Sequence, residues 1–160
     1  MSVEVKDTDR GWEAVVSAFD DSPGASVKFG SVGAAAAADH ISNDGKPSGM
    51  TTAGILAVHE FGVGVPERSV VRVWVDSNHA ALGDAFRTGV LDQLSGNGTT
   101  EKTLDRIGKV GAEGMRRRIR GFIEPALSAR TQADPNRDPR MIPLYDTQQI
   151  IDSIDREVEK

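Results

Sequence analysis

Apolar and polar residues alternate at the start of the chain, Val3 and Val5 against Glu4 and Lys6, which predicts a short strand. The spacing then widens to three and four residues at Trp12, Val15, Val16 and Phe19. That predicts a helix over residues 10–20, capped by Thr8 or Asp9. After a turn at DDSPG, alternation returns over residues 26–32, with Val27 and Phe29 on one face of a strand. The five alanines at 34–38 leave helix, strand edge and collapsed loop open, and residues 39–50 read as an exposed loop or hairpin tip. Thr51 or Thr52 caps a short helix through Ile55, Leu56 and Val58 to Phe61, ended by Gly62.

Residues 57–74, AVHEFGVGVPERSVVRVW, form the corner around which the rest is placed. Gly62 and Gly64 permit a turn with positive φ, Pro66 suits a first helical position, and Glu67 suits the positive end of a helix dipole. Residues 69–76 fit two patterns. Val71, Val73 and Val75 alternate as in a strand, while Val70, Trp74, Ala81, Ala85 and Phe86 fit a helix continuing to Leu94. Pro66 and Glu67 favour the helix, whose face would be Leu82, Ala85, Phe86, Val90 and Leu94. Phe61 is expected to be buried at the corner, and Arg68 to be held by a carboxylate or a backbone carbonyl.

After SGNGTT a second long helix is predicted over residues 101–123, with a stripe of Leu104, Ile107, Gly111, Met115, Ile119 and Phe122. Gly108, Gly111 and Gly114 lie on or beside that stripe. Glycine costs about 1 kcal/mol per position inside a helix relative to alanine, so three of them predict close approach of another backbone, that of the helix ending near Leu94. Pro125 stops this helix. Residues 128–141 are polar and read as a long loop. Asp146 or Thr147 caps a last helix with Ile150, Ile151 and Ile154 on one face, and residues 156–160 are a candidate strand. Together these elements predict one α+β domain over residues 1–160. It has a small, mostly antiparallel sheet packed by helices, with a long helical pair in the middle of the chain.

A chain of 160 residues is long enough for a sizeable core. The net charge of −5 disfavours general nucleic-acid binding. The lack of cysteine excludes disulfides and thiolate chemistry. No apolar run reaches the about 18 residues of a membrane span, and the first residues hold no apolar core of a signal peptide.

His59-Glu60 is half of a zinc-protease motif, but Val63 stands where the second histidine belongs, and a capping or buried hydrogen-bonding role is expected instead. Gly62-Val-Gly64 lacks the third glycine of a dinucleotide fingerprint, and no serine sits in a nucleophile elbow. No catalytic residue, cofactor or metal is therefore expected. Arg106, Lys109, Arg116, Arg117 and Arg120 form a basic face on the second long helix. Solvated surface, a neighbouring subunit and DNA phosphates all remain open as its partner.

These residues carry a resemblance. His59, Glu60, Phe61 and Gly62, followed by Pro66, Glu67, Arg68, Ser69 and Arg72, are similar to the HEFG…IPERSF…R signature of phage neck proteins. These are the tail-completion or head–tail joining proteins of long-tailed phages, related to virion morphogenesis proteins of Mu-like phages. Arg118 to Ser128 with Thr131 resembles the IRxxIxPPLSPxT block. Pro143, Leu144, Asp146, Thr147, Ile150, Ser153 and Ile154 resemble PLIDTGQLxxSI. Gln148 stands where the signature usually has glycine, and Val70 where it has phenylalanine.

The resemblance implies a virion structural protein of the neck, joining head and tail through protein–protein contacts and transforming nothing chemically. It further implies a homo-oligomeric ring, sixfold in expectation, touching neighbouring connector and tail proteins and assembled in the host cytoplasm. No membrane is involved, and DNA contact is not required. The alternative is a soluble DNA-associated accessory protein that uses the basic helix face.

Overall fold

A computed structural model describes residues 13, 16, 17, 24–135, 142–145 and 148–159. The predicted first strand lies outside these residues. So does the predicted first helix apart from Glu13, Val16 and Ser17, which are helical. In chain order the elements are β1 (Ser26–Ser31), α1 (Gly33–Ala37), β2 (Asp39–Ile41), β3 (Pro47–Thr51), α2 (Thr52–Phe61), α3 (Val71–Ser77), α4 (His79–Leu94), α5 (Thr100–Arg120), α6 (Ala129–Gln132), α7 (Gln149–Ser153) and β4 (Ile154–Glu159).

The fold is α+β, and among the described residues the strands form two separate antiparallel pairs, β1 with β4 and β2 with β3. In the first pair Val27 faces Val158 and Phe29 faces Arg156, so one face of the ribbon packs on α5 while Lys28, Glu157 and Glu159 point to solvent. The alanine run is the short helix α1, and residues 39–51 are the hairpin β2–β3. Gln149 extends that hairpin sideways. Its amide accepts from the Ile41 N–H at 2.9 Å and donates to the Ile41 carbonyl at 2.8 Å, as a neighbouring strand would.

α5 is the central beam. Thr99 caps its N-terminus by accepting from Lys102 N–H. Met115 and Ile119 are fully buried against Leu56, Val70, Trp74, Ile151 and Ile154. The three predicted glycines do mark close approach, but of side chains, and none faces α4. A β-carbon on Gly108 would meet Val27 Cγ2 at 2.7 Å, one on Gly111 would enter the Phe29 ring, and one on Gly114 the Trp74 indole. Phe29 and Trp74 pack edge to face with centroids 6.3 Å apart.

The expected helical pair is present as α4 against α5, and its own close contact is Gly89 on Thr103. Small residues Ala85 and Gly89, with Gln93, form the buried face of α4. Phe86 and Leu94, expected on that face, are exposed, as is Phe122 beyond α5, where Ile123 is buried instead. Residues 128–141, expected as loop, contain the single-turn helix α6.

Candidate functional site

The corner is built around Glu60. α2 starts with Thr51 accepting from Gly54 N–H and ends at Gly62, whose φ of 66° is the left-handed conformation that glycine accepts most readily. The buried face of α2 is Thr52, Leu56 and Glu60, one residue every turn, and Phe61 falls off it. Phe61 is 68% exposed, which corrects the expectation that it anchors the core. The buried anchor is its neighbour Glu60.

The Glu60 carboxylate accepts four hydrogen bonds: from the Ser69 hydroxyl at 2.6 Å and from the backbone N–H groups of Val70, Val71 and Arg72 at 2.7, 3.0 and 2.8 Å. These N–H groups open α3 and would otherwise lack partners. The carboxylate is thus the cap of α3, supplied from α2. Burial pushes the Glu60 carboxyl up. The Ser69 hydroxyl and the N–H groups of Arg72, Val71 and Val70 outweigh it, so the net shift is downward.

Pro66 and Glu67 do not start a helix. Residues 65–70 are non-helical, and the first turn of α3 comes at Val71, because Glu60 caps it there. The helical reading of residues 71–77 holds, with a break at Asn78 before α4. Glu67 pairs with Arg72 at the surface.

Arg68 is buried and held by backbone carbonyls, one of the two kinds of partner expected for it, and these tie the corner to the chain after α5. Its Nε donates to the Pro125 carbonyl at 2.9 Å and Nη2 to the Ala126 carbonyl at 3.1 Å, while its own N–H donates to the His59 carbonyl at 2.7 Å. The Glu124–Pro125 peptide is cis. Arg118, which sequence reasoning left unassigned, donates to the Ser69 carbonyl at 3.0 Å. Only its place in the IR dipeptide of the second block pointed to it.

Beside Arg68 lies a cleft of about 440 Å³, walled by Ile55, His59, Pro66, Pro125, Leu127 and Leu144. Pro143 and Leu144 are buried, whereas Asp146 and Thr147 lie outside the described residues. His59 Nδ1 is buried with no hydrogen-bond partner among the described residues. Burial, and then the Arg68 charge, push its pKa down against the pull of the Pro66 carbonyl, so the neutral ring is favoured. Among the described residues no group of three or more His, Asp or Glu side chains comes together to hold a metal. The donors and acceptors around Glu60 and Arg68 are spent on one another, so the arrangement fixes chain positions.

The basic face is partly neutralised. Arg106 pairs with Asp92 of α4 at 2.7 Å, and Arg116 lies 3.8 Å from Asp155 of β4. Lys109, Arg117 and Arg120 are exposed and make no ion pair among the described residues. No described helix is long and apolar enough to cross a membrane. Comparison with protein-family models, with curated proteins and with solved structures finds no match.

Proposed function

We propose that this chain is a structural protein of the phage neck, joining head to tail through protein–protein contacts as a homo-oligomeric ring, with sixfold symmetry as the working stoichiometry. The observation that carries the reading is the convergence of the three sequence blocks behind the resemblance. Arg68 of the first block holds the carbonyls of Pro125 and Ala126 in the second, and Leu144 of the third lines the same cleft. Residues 57 positions apart, Arg68 and Pro125, thus meet in one unit, as expected of a signature that encodes architecture.

A second feature supports it. Gln148, at the position where the signature usually carries glycine, has φ 59° and ψ −10°, the left-handed region that glycine favours. The surface also offers exposed apolar side chains for contacts, notably Phe61, Val63, Phe86, Leu91 and Phe122.

In this role the protein resides at the head–tail junction, contacts connector and tail proteins, and is assembled in the host cytoplasm. It acts without a catalytic step. The DNA-associated reading rests on the basic face, where Arg106 and Arg116 are engaged within the chain and Lys109, Arg117 and Arg120 make no ion pair among the described residues. Microscopy of particles made without this protein tests the assignment. Heads and tails that fail to join stably are expected, and normal joined virions would overturn it.

A further inference from the structure

Along one flank of α4, Phe86, Val90 and Leu94 recur every four residues, with Leu91 beside them. Phe86 and Leu91 are more than half exposed, and Leu94 is exposed as well. α4 thus carries three of the exposed large apolar side chains, more than any other described element. Its buried residues Ala85, Gly89 and Gln93 are spent on α5, so this row is a second apolar face on a helix already anchored. From Phe86 to Leu94 the row runs about 12 Å along the axis at 1.5 Å per residue. A helix that presents side chains at such steps is the shape that fills an apolar groove.

The same chain holds such a groove. It has a volume of about 410 Å³ and lies between β1, α2 and the start of α3, lined by Phe29, Leu56, Ala57, Phe61 and Val71. Arg72 at its rim pairs with Glu67, as Arg87 beside the α4 row pairs with Asp84. Each rim thus carries a cation already matched by an anion. The whole chain carries −5, so copies repel one another in general, and surfaces with matched rims are where they approach with least repulsion.

α4 does not reach the groove of its own chain. Gly89 packs on Thr103 and Asp92 pairs with Arg106, which fixes α4 on one side of α5. Val27 at Gly108 and Phe29 at Gly111 fix β1 on another. At about 100° per residue these two pairs of positions lie about 140° apart around the α5 axis. A convex row on one side and a concave groove on the far side are two different patches. Their union is a heterologous contact, which closes a ring when copies are related by rotation.

We propose that the apolar groove between β1, α2 and α3 receives the exposed row of α4, Phe86 to Leu94, from a second copy of the chain, and that this contact builds the oligomer. The proposal rests on the ring reading above for its role but only on self-association for its test. Three exposed apolar side chains supply less area than an obligate interface buries, so the association is weak in dilute solution.

The chain has no cysteine, so single thiols report contacts cleanly. Two full-length variants are used, Ala57→Cys in the groove and Val90→Cys on the row, the first position exposed and the second half-buried. Mixed at high concentration and oxidised, they should give a mixed disulfide at twice the chain mass, several-fold above the homodimer of either variant alone. The yield should hold or rise with salt, which screens the repulsion between copies and leaves an apolar contact intact. It should fall several-fold in Phe86→Ser or Leu91→Ser backgrounds that melt like the parent. No mixed product would overturn the proposal, as would a product indifferent to these substitutions or lost at high salt. A predominant Val90→Cys homodimer would overturn it by pairing α4 with α4. So would an Ala57→Cys chain that, in assembled particles, cross-links only to a different protein, because the groove then belongs to that protein. None of these readouts depends on whether heads and tails join in the deletion. Normal joined virions together with the mixed disulfide would remove the neck reading and leave the contact.

Discussion

The Glu60 carboxylate and the Ser69 hydroxyl meet at 2.6 Å across the corner between α2 and α3, and the same carboxylate caps the helix that follows Ser69. Two helices are thereby locked together by one buried charge. Hydrogen bonds to a charged group contribute about 1.5–3 kcal/mol each before desolvation is counted, and removing the partner leaves N–H groups unsatisfied. Glu60→Ala should destabilise the fold by about 3 kcal/mol or more. Glu60→Gln should cost less but remain clearly measurable, because its NH₂ group faces donors where the carboxylate offered an acceptor. Urea unfolding of the two variants measures both, and parent-like midpoints would show that the network contributes nothing.

Acidification should weaken the protein in two steps. The His59 pKa is lowered from 6.5, so as the pH falls below that value the unfolded chain takes up a proton that the folded one resists, and stability declines. The Glu60 pKa is also lowered, from 4.5. Its contribution is complete above that value and is lost as the pH drops through the folded pKa. His59→Gln should flatten the stability curve in the upper window and leave the lower one. Melting temperatures across a pH series separate the two, and an unchanged upper slope in the variant would remove His59 from the account.

Gly114 gives way to the Trp74 indole. Alanine there gains about 1 kcal/mol of helix propensity, yet its methyl occupies space the ring fills, and overpacking costs about 1–3 kcal/mol or more. Gly114→Ala should therefore be net destabilising despite sitting in mid-helix. Trp74→Leu costs core volume of its own, so the informative quantity is the coupling. The double variant should be more stable than the sum of the two single effects predicts. Strict additivity would mean that the ring and the methyl do not compete.

Gln148 holds a left-handed backbone that costs a non-glycine residue about 1–2 kcal/mol. Glycine is freer in the unfolded chain, which offsets part of any gain. Gln148→Gly should stabilise by about 0.5–1 kcal/mol, seen as a higher denaturant midpoint at unchanged slope. Destabilisation would mean that the Gln148 side chain outweighs the backbone strain.

Local patterns carried most of the architecture, and long-range contacts decided the rest. The alternation of β1, the Thr51 cap and Gly62 stop of α2 and the long helical pair were all legible, because each depends on neighbours in the chain. Residues 71–77 carried strand and helix patterns at once. What settled them was the carboxylate of Glu60, about ten residues upstream, and no local signal identifies a cap supplied from another helix. The glycines of α5 announced a close approach correctly, but only the fold reveals that Val27, Phe29 and Trp74 make it. Strict periodicity from Thr52 and Leu56 leads to Glu60 and excludes Phe61. The preference for burying the aromatic residue was the misleading prior.

Phe61 is consequently where stability and assembly should come apart. A buried phenylalanine cut to alanine typically costs about 3–5 kcal/mol, but at 68% exposure the side chain has little core contact to lose. Phe61→Ala should change stability by less than about 0.5 kcal/mol. Its ring lines an apolar groove of about 410 Å³ with Phe29, Val32, Leu56 and Val71, and Val63 beside it is 64% exposed. A large apolar side chain held exposed at a fixed corner is the kind of group that an assembly contact uses. If the chain works at the head–tail junction through this corner, Phe61→Ser should leave the isolated protein folded and melting like the parent while the yield of joined particles falls. Circular dichroism and particle counts from the same variant measure the two effects. A large loss of melting temperature would show that the ring is part of the core after all, and full assembly with normal stability would take the corner out of the contact surface.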